Sequence, residues 1–153
     1  MWQMRKVISN TSCLIVLSNI GKLELLREVY ESVLITEEVA LEFGEPVPAW
    51  INVQAVKDCT KTKLIANMLD LGESSTLALA IEQDDALVIL DDGKARRFAK
   101  GLDISFTGTL GVVIKAKQIG IDVDLEKIID DFRRVGFRIP KDIESMMLDE
   151  NSK

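Results

Sequence analysis

The 153-residue chain contains no histidine, which removes Ser-His-Asp and Cys-His catalysis and His-ligated zinc. Any chemistry has to come from carboxylates, hydroxyls, amides, lysine or arginine. There are two cysteines, Cys13 and Cys59, with neither a C-x-x-C pair nor a metal-binding spacing. Two lone thiols in a chain of this size point to a reducing compartment. Cys13 lies in an apolar helical stretch and reads as packed rather than reactive. No apolar run is long enough to span a bilayer. The start, Met1-Trp2-Gln3-Met4-Arg5-Lys6, runs into the polar Ser9-Asn10-Thr11-Ser12 instead of the apolar stretch of a secretory leader. A cytoplasmic protein without membrane contact is expected. Neither G-x-x-x-x-G-K-[ST] nor G-x-G-x-x-G occurs, and there is no internal repeat or low-complexity tract.

What is present suits one domain with a real core. Hydrophobic residues make up 47% of the chain. The net charge of −6 argues against broad electrostatic attraction to nucleic acid. It leaves room for a local basic patch, or for a metal ion bridging acids to phosphates. Strand-like runs alternate with helical patterns. Residues 6–10 read as a buried strand, followed by a helix from 12 to about 20 capped by Thr11 or Ser12. A helical stretch over 22–30 leads to a short apolar strand over 32–36 and a helix over 36–43, ended by Gly44. Residues 51–56 fit strand or loop. Helices are expected over 61–69 and from 73 to about 83, and the clearest strand spans 86–90. A basic helix over 93–100, a strand over 104–106 and helices over 110–119 and 125–135 follow. A polar helix from 141 to about 148, with fraying ends, closes the chain. The alternation implies an α/β fold of three α/β/α layers around a central parallel sheet.

Four separate parts of the chain bring candidate groups to strand ends or helix starts. Asn10 ends the first strand, Glu42 lies late in the 36–43 helix, Glu73 opens the next strong helix, and Asp91 and Asp92 follow the clearest strand. In a doubly wound sheet such positions converge in the crevice at the strands' carboxyl ends. Two unit charges about 4 Å apart repel by about 4 kcal/mol at an effective dielectric of about 20. A cluster of these acids therefore needs a bound proton or a cation among them. Mg²⁺ or Mn²⁺ takes oxygen ligands and supports phosphoryl displacement. Each residue also has a plainer role: Glu73 complementing a helix dipole, Asp91 or Asp92 as an N-cap, Glu42 as a solvated acid, Asn10 in an Asx-turn. Arg96, Arg97 and Lys100 of the basic helix read either as phosphate contacts or as a solubilising face. Thr107-Gly108-Thr109 reads as a helix cap or as a hydroxyl near a metal and phosphate.

Together these stretches resemble a PIN domain, and within that family the VapC-like toxin ribonucleases and an uncharacterised subgroup. The matching residues are Val7-Ile8-Ser9-Asn10-Thr11-Ser12 with Leu14-Ile15, then 39–43, Gly72-Glu73-Ser74-Ser75-Thr76-Leu77-Ala78-Leu79-Ala80, Val88-Ile89-Leu90-Asp91-Asp92 with Arg96-Arg97, and Phe106-Thr107-Gly108-Thr109-Leu110-Gly111-Val112. The resemblance runs to about Gly120, and the tail beyond Asp122 resembles the subgroup alone. It implies a single PIN-like domain over 1–153, with 122–153 a helical extension. It also implies Mg²⁺- or Mn²⁺-dependent cleavage of RNA, with an antitoxin protein and a second copy of the chain as partners. Glu42, Glu73, Asp92 and Asn10 would be catalytic, and Glu73, Asp92, Asp91 and Asn10 would hold metal. Arg96, Arg97, Lys100, Thr107 and Thr109 would meet RNA. The departure is Asn10, where the family pattern has aspartate. A unit charge about 4 Å from a dication contributes about 8 kcal/mol gross at a dielectric of about 20, before desolvation. The alternative is therefore a degenerate PIN domain that binds RNA or protein without cutting. A third reading, a nucleotide-binding α/β domain, is permitted by Asp91-Asp92 after a strand but lacks a phosphate loop. Leu14, Leu17, Leu23 and Leu26 fit either a dimer interface or the core.

Overall fold

A computed structural model describes residues 5–153. The elements run β1 (Lys6–Ser9), α1 (Thr11–Asn19), α2 (Glu24–Tyr30), β2 (Val33–Ile35), α3 (Glu37–Phe43), β3 (Ile51–Val53) and α4 (Cys59–Ile65). They continue with α5 (Leu71–Ile81), β4 (Ala86–Ile89), α6 (Gly93–Gly101), β5 (Ser105–Thr107), α7 (Thr109–Gln118), α8 (Leu125–Arg134) and α9 (Lys141–Asn151). Among the described residues five strands form one sheet in the order β3-β2-β1-β4-β5, and every pairing is parallel.

Side-chain alternation along the strands divides the interior into two cores. Val7, Val33, Ile35 and Ile89 face one layer, where they pack with Cys13, Leu14 and Leu17 of α1, Val112 and Val113 of α7, and Ile128 and Phe132 of α8. Ile8 and Val88 face the other layer, with Leu77, Ala78 and Leu79 of α5 and Ala95 and Ala99 of α6. This is the three-layer α/β/α arrangement around a parallel sheet that the alternating pattern implied. Among the described residues no helix is long and apolar enough to cross a membrane.

Several local expectations shift. The cap of α1 is neither Thr11 nor Ser12 but Asn10, whose Oδ1 accepts from the Cys13 N–H at 3.1 Å. Asparagine is as good an N-cap as serine, and the extended backbone of Asn10 at the end of β1 is the geometry a cap needs. Of residues 51–56, Ile51–Val53 form the short edge strand β3, paired with β2, and the rest is loop. Leu14, Leu17 and Leu26 are fully buried and Leu23 packs against them, so these leucines are core.

The carboxyl-terminal segment is built into the same core. Leu125, Ile128, Ile129 and Phe132 of α8 lie with β1 in one cluster, and the Phe132 and Phe137 rings sit 5.1 Å apart. The last helix runs to Asn151 and buries Met147. Asn151 Oδ1 accepts from the Leu125 N–H at 2.8 Å, tying the end of α9 to the start of α8. The periodicity expected this helix to end nearer 148; the tertiary partner of Asn151 holds the last turn.

Among the described residues Phe132 is the largest fully buried side chain. Phe132→Ala is expected to cost about 3–5 kcal/mol, measured as a lower urea midpoint at unchanged slope.

Candidate functional site

The chain runs outward from β1 through β2 to β3, then returns to pair β4 on the other side of β1. The reversal lies between β1 and β4, and in open parallel sheets the crevice at that point is where ligands bind. Asn10 follows β1 and Asp91 and Asp92 follow β4, so the topology brings both to this edge. Helices that follow parallel strands also begin here, and their free N–H groups make the edge electropositive.

The polar residues of the edge are first of all the caps of those helices. Asn10, only 3% exposed, caps α1. Thr36 caps α3 through the Val39 N–H at 3.1 Å. Asp92 caps α6, its Oδ2 accepting from the Ala95 N–H at 2.9 Å. α7 has no side-chain cap of its own. Asp91 reaches to it from the end of β4, accepting from the Thr109 N–H at 2.8 Å and the Thr109 hydroxyl at 2.6 Å. Asp70 caps α5, its Oδ1 accepting from the Glu73 N–H at 2.9 Å.

Asn10, Thr11, Ser12, Glu42, Asp70 and Glu73 line one small cleft of about 50 Å³. Glu42 is exposed on α3, and its Oε1 accepts from the Thr11 hydroxyl at 2.9 Å. The first turn of α5 passes so close that a Cβ at Gly72 would collide with that oxygen. Glycine there is what lets α3 and α5 bring their carboxylates to one place. The Glu73 carboxyl is pushed up to about 7, first by burial and then by the charges of Asp70 and Asp92. Asp92 is therefore close enough to act on Glu73, although it stands beside the cleft and not in its lining.

The remaining predicted residues divide. Asp91 and Thr109 are bonded to each other, and Thr109 is fully buried. Arg96 and Thr107 face a second, larger groove that also meets Asp91. Arg97 and Lys100 are exposed on α6, and Lys100 lines a shallow depression with Asp103 at the opposite end of that helix. Cys13 is buried, and burial holds its thiol up at about 12, as suits a packing residue. Three cleft residues escaped the sequence reading as site residues, Asp70, Thr11 and Ser12. Asp70 had a visible signal: Asp70-Leu71-Gly72-Glu73 has the acid-three-later spacing of a helix start.

An all-oxygen donor set of carboxylates and an amide suits a hard divalent cation such as Mg²⁺ or Mn²⁺. Asp70 and Asp92 each keep one carboxylate oxygen outside the capping bond. Both oxygens of Asp91 are taken by Thr109, and Asn10 offers an oxygen without charge that already accepts from Cys13. Among the described residues no group of three or more Cys, Asp or Glu side chains is arranged to hold a metal ion. The donors fit a hard cation in kind, and they surround the cleft without closing on one point.

A family model described as DUF3368: PIN domain matches residues 6–153. No curated protein and no solved structure shows significant similarity to the chain.

The crowding at Glu73 sets a pH dependence. Its folded value of about 7 lies above the ordinary 4.5, so the folded chain holds the proton more tightly than the unfolded one. The resulting destabilisation is absent below pH 4.5, grows between the two values and is complete above pH 7. Glu73→Gln should therefore unfold at higher denaturant than the parent at pH 8, and this advantage should vanish at pH 4. The expected difference is on the order of 1 kcal/mol after discounting for solvent around a half-exposed group.

Proposed function

Since the chain belongs to the PIN-domain family, we propose that it is a divalent-metal-dependent endoribonuclease whose centre is the acidic cleft at the carboxyl edge of the sheet. The observation that carries this reading is the gathering of Glu42, Asp70 and Glu73 with Asn10 in one cleft, with Asp92 acting on Glu73. Acids kept this close without cationic partners favour a divalent ion, and among the described ion pairs none involves these residues. Glu42, Glu73 and Asp92, with Asp70 beside them, would hold it. When bound, Mg²⁺ or Mn²⁺ would supply an activated water and charge stabilisation at phosphorus.

The chain's own groups have distinct tasks under this reading. Glu73, whose carboxyl is held up to about 7 by burial and its acidic neighbours, would give up that proton on taking the ion as a ligand. Thr11 holds Glu42 in place through its hydroxyl. Asn10 keeps α1 seated and adds no charge, so the cleft attracts a cation less strongly than an aspartate there would allow. RNA is the partner this reading requires. An antitoxin protein and a second copy of the chain are the further partners the family likeness suggests, and the exposed Leu41 and Leu71, next in sequence to Glu42 and Asp70, are residues that such contacts would bury.

A second reading is supported by two observations: the neutral Asn10, with its oxygen occupied by the Cys13 N–H, and the lack of a closed set of three acids among the described residues. Under it the domain binds RNA and does not cut.

One assay separates the two. Cleavage of a fluorescent RNA in Mn²⁺ should be lost with chelator and fall about 100-fold or more in Glu73→Gln. Cleavage that survives both changes removes the metal mechanism. An inert parent that gains cleavage in Asn10→Asp, with Mn²⁺ affinity at least about tenfold higher by calorimetry, establishes the second reading.

A further inference from the structure

Across Asp91 and Asp92 from the acidic cleft, the edge of the sheet opens into a groove of about 380 Å³. Pockets of roughly 300–1,000 Å³ are the size that accepts small molecules or single residues of a polymer. Its walls include Phe106 of β5, Phe137 from the connection after α8, and Ile143 and Met146 of α9, and two arginines, Arg96 and Arg138, complete it.

Arg96 is set in advance. Its Nε donates to the Leu90 carbonyl at 2.7 Å, and its guanidinium lies over the Phe106 ring, 5.4 Å from the centroid. The backbone of Gly108 leaves the space this needs, since a Cβ there would collide with Arg96 Nη2. Within the described residues, Nη1 and Nη2 of Arg96 make no hydrogen bond, and neither Arg96 nor Arg138 is in an ion pair. The one acid in the lining, Asp91, has both oxygens on Thr109. The groove thus offers aromatic and aliphatic walls beside two guanidinium groups that make no ion pair, with Asp91 as the one acid in its lining. A ligand that matches has a flat apolar body and an anionic group, which describes a nucleotide.

We propose that this groove is a subsite for one nucleotide of single-stranded RNA, with the base against Phe106 and Phe137 and the phosphate on Arg96 and Arg138. The polymer class rests on the function proposed above, whereas binding at the groove requires neither metal nor cleavage. Asp91 lines the groove and Asp92 adjoins the cleft, so the seated nucleotide would neighbour the phosphodiester presented to the acids. Base stacking at such a platform tolerates sequence and contributes binding independently of net charge. This reconciles strand recognition with a chain of net charge −6.

The test is anisotropy of a fluorescein-labelled eight-nucleotide RNA on the full chain, in EDTA so that cutting is irrelevant, beside an abasic oligomer of equal length. The RNA should bind, with the abasic oligomer about tenfold weaker. Arg138→Glu, at an exposed position, should weaken the RNA about tenfold and reduce the salt dependence. Met146→Trp, which fills the groove, should weaken it comparably, with an unchanged melting temperature showing that the fold survives. Methyl resonances of Ile143 and Met146 should shift on RNA addition. No RNA binding by the parent, equal affinity for the abasic oligomer, indifference to both variants, or displacement of RNA from these methyls by an acidic peptide that binds more tightly would each overturn the proposal. A protein that binds in this way but never cuts would sink the nuclease reading and leave the subsite standing.

Discussion

The structure depends on how the free N–H groups at one edge of the sheet are satisfied. Strands β1, β2, β4 and β5 send their chain into helices at the same edge, where α5 also begins, and each helix start leaves donors that burial would make costly. Asn10, Thr36, Asp70 and Asp92 accept from them, and Asp91 serves α7 from a neighbouring strand. A substitution that removes such an oxygen loses a cap of about 1 kcal/mol and also releases the chain that positions the next element. The helix starts and the carboxylates stabilise each other, since the positive ends of the helices offset part of the repulsion among the acids.

This arrangement gives the acids two roles. A carboxylate has two oxygens, and a capping bond uses one. Asp70 and Asp92 therefore keep one oxygen outside the cap while holding their helices, whereas Asp91 accepts from Thr109 through both of its oxygens. Glu73 caps nothing, and burial, followed by the charges of Asp70 and Asp92, raises its carboxyl to about 7. Gly72 keeps Glu42 and Glu73 within one cleft because no side chain stands between α5 and the Glu42 carboxylate.

The carboxyl-terminal helices contribute to function by position. α8 belongs to the core that β1 and α1 share, and the bond from Leu125 N–H to Asn151 together with the Arg133–Glu144 ion pair holds α9 against it. α9 then supplies one wall of the groove whose floor is the edge strand β5. An edge strand is exposed to unwanted pairing, and here side chains of the last helix stand beside it. The same packing that protects the edge shapes a concave surface next to the acids.

Much of this was legible from the residues. The alternation of short β-branched runs with helical periods determined a parallel α/β/α fold, because strands buried on both faces read as continuous apolar stretches such as Ala86–Ile89. The same reading located Asn10, Glu42, Glu73, Asp91 and Asp92 at element boundaries, since caps and strand ends have local signatures. It missed Asp70 although the Asp-x-x-Glu spacing was present, and it gave the α1 cap to Thr11 or Ser12, because a hydroxyl and an amide compete for adjacent positions and only the backbone angle at the strand end decides. Tertiary structure alone decided which acids share a cleft, that Asp91 is bonded to Thr109, that α8 is core, and that Arg96 lies on Phe106 beside α9. These are contacts between residues tens of positions apart, set by strand order and helix packing, and no periodicity along the chain encodes the distance between two side chains on different elements.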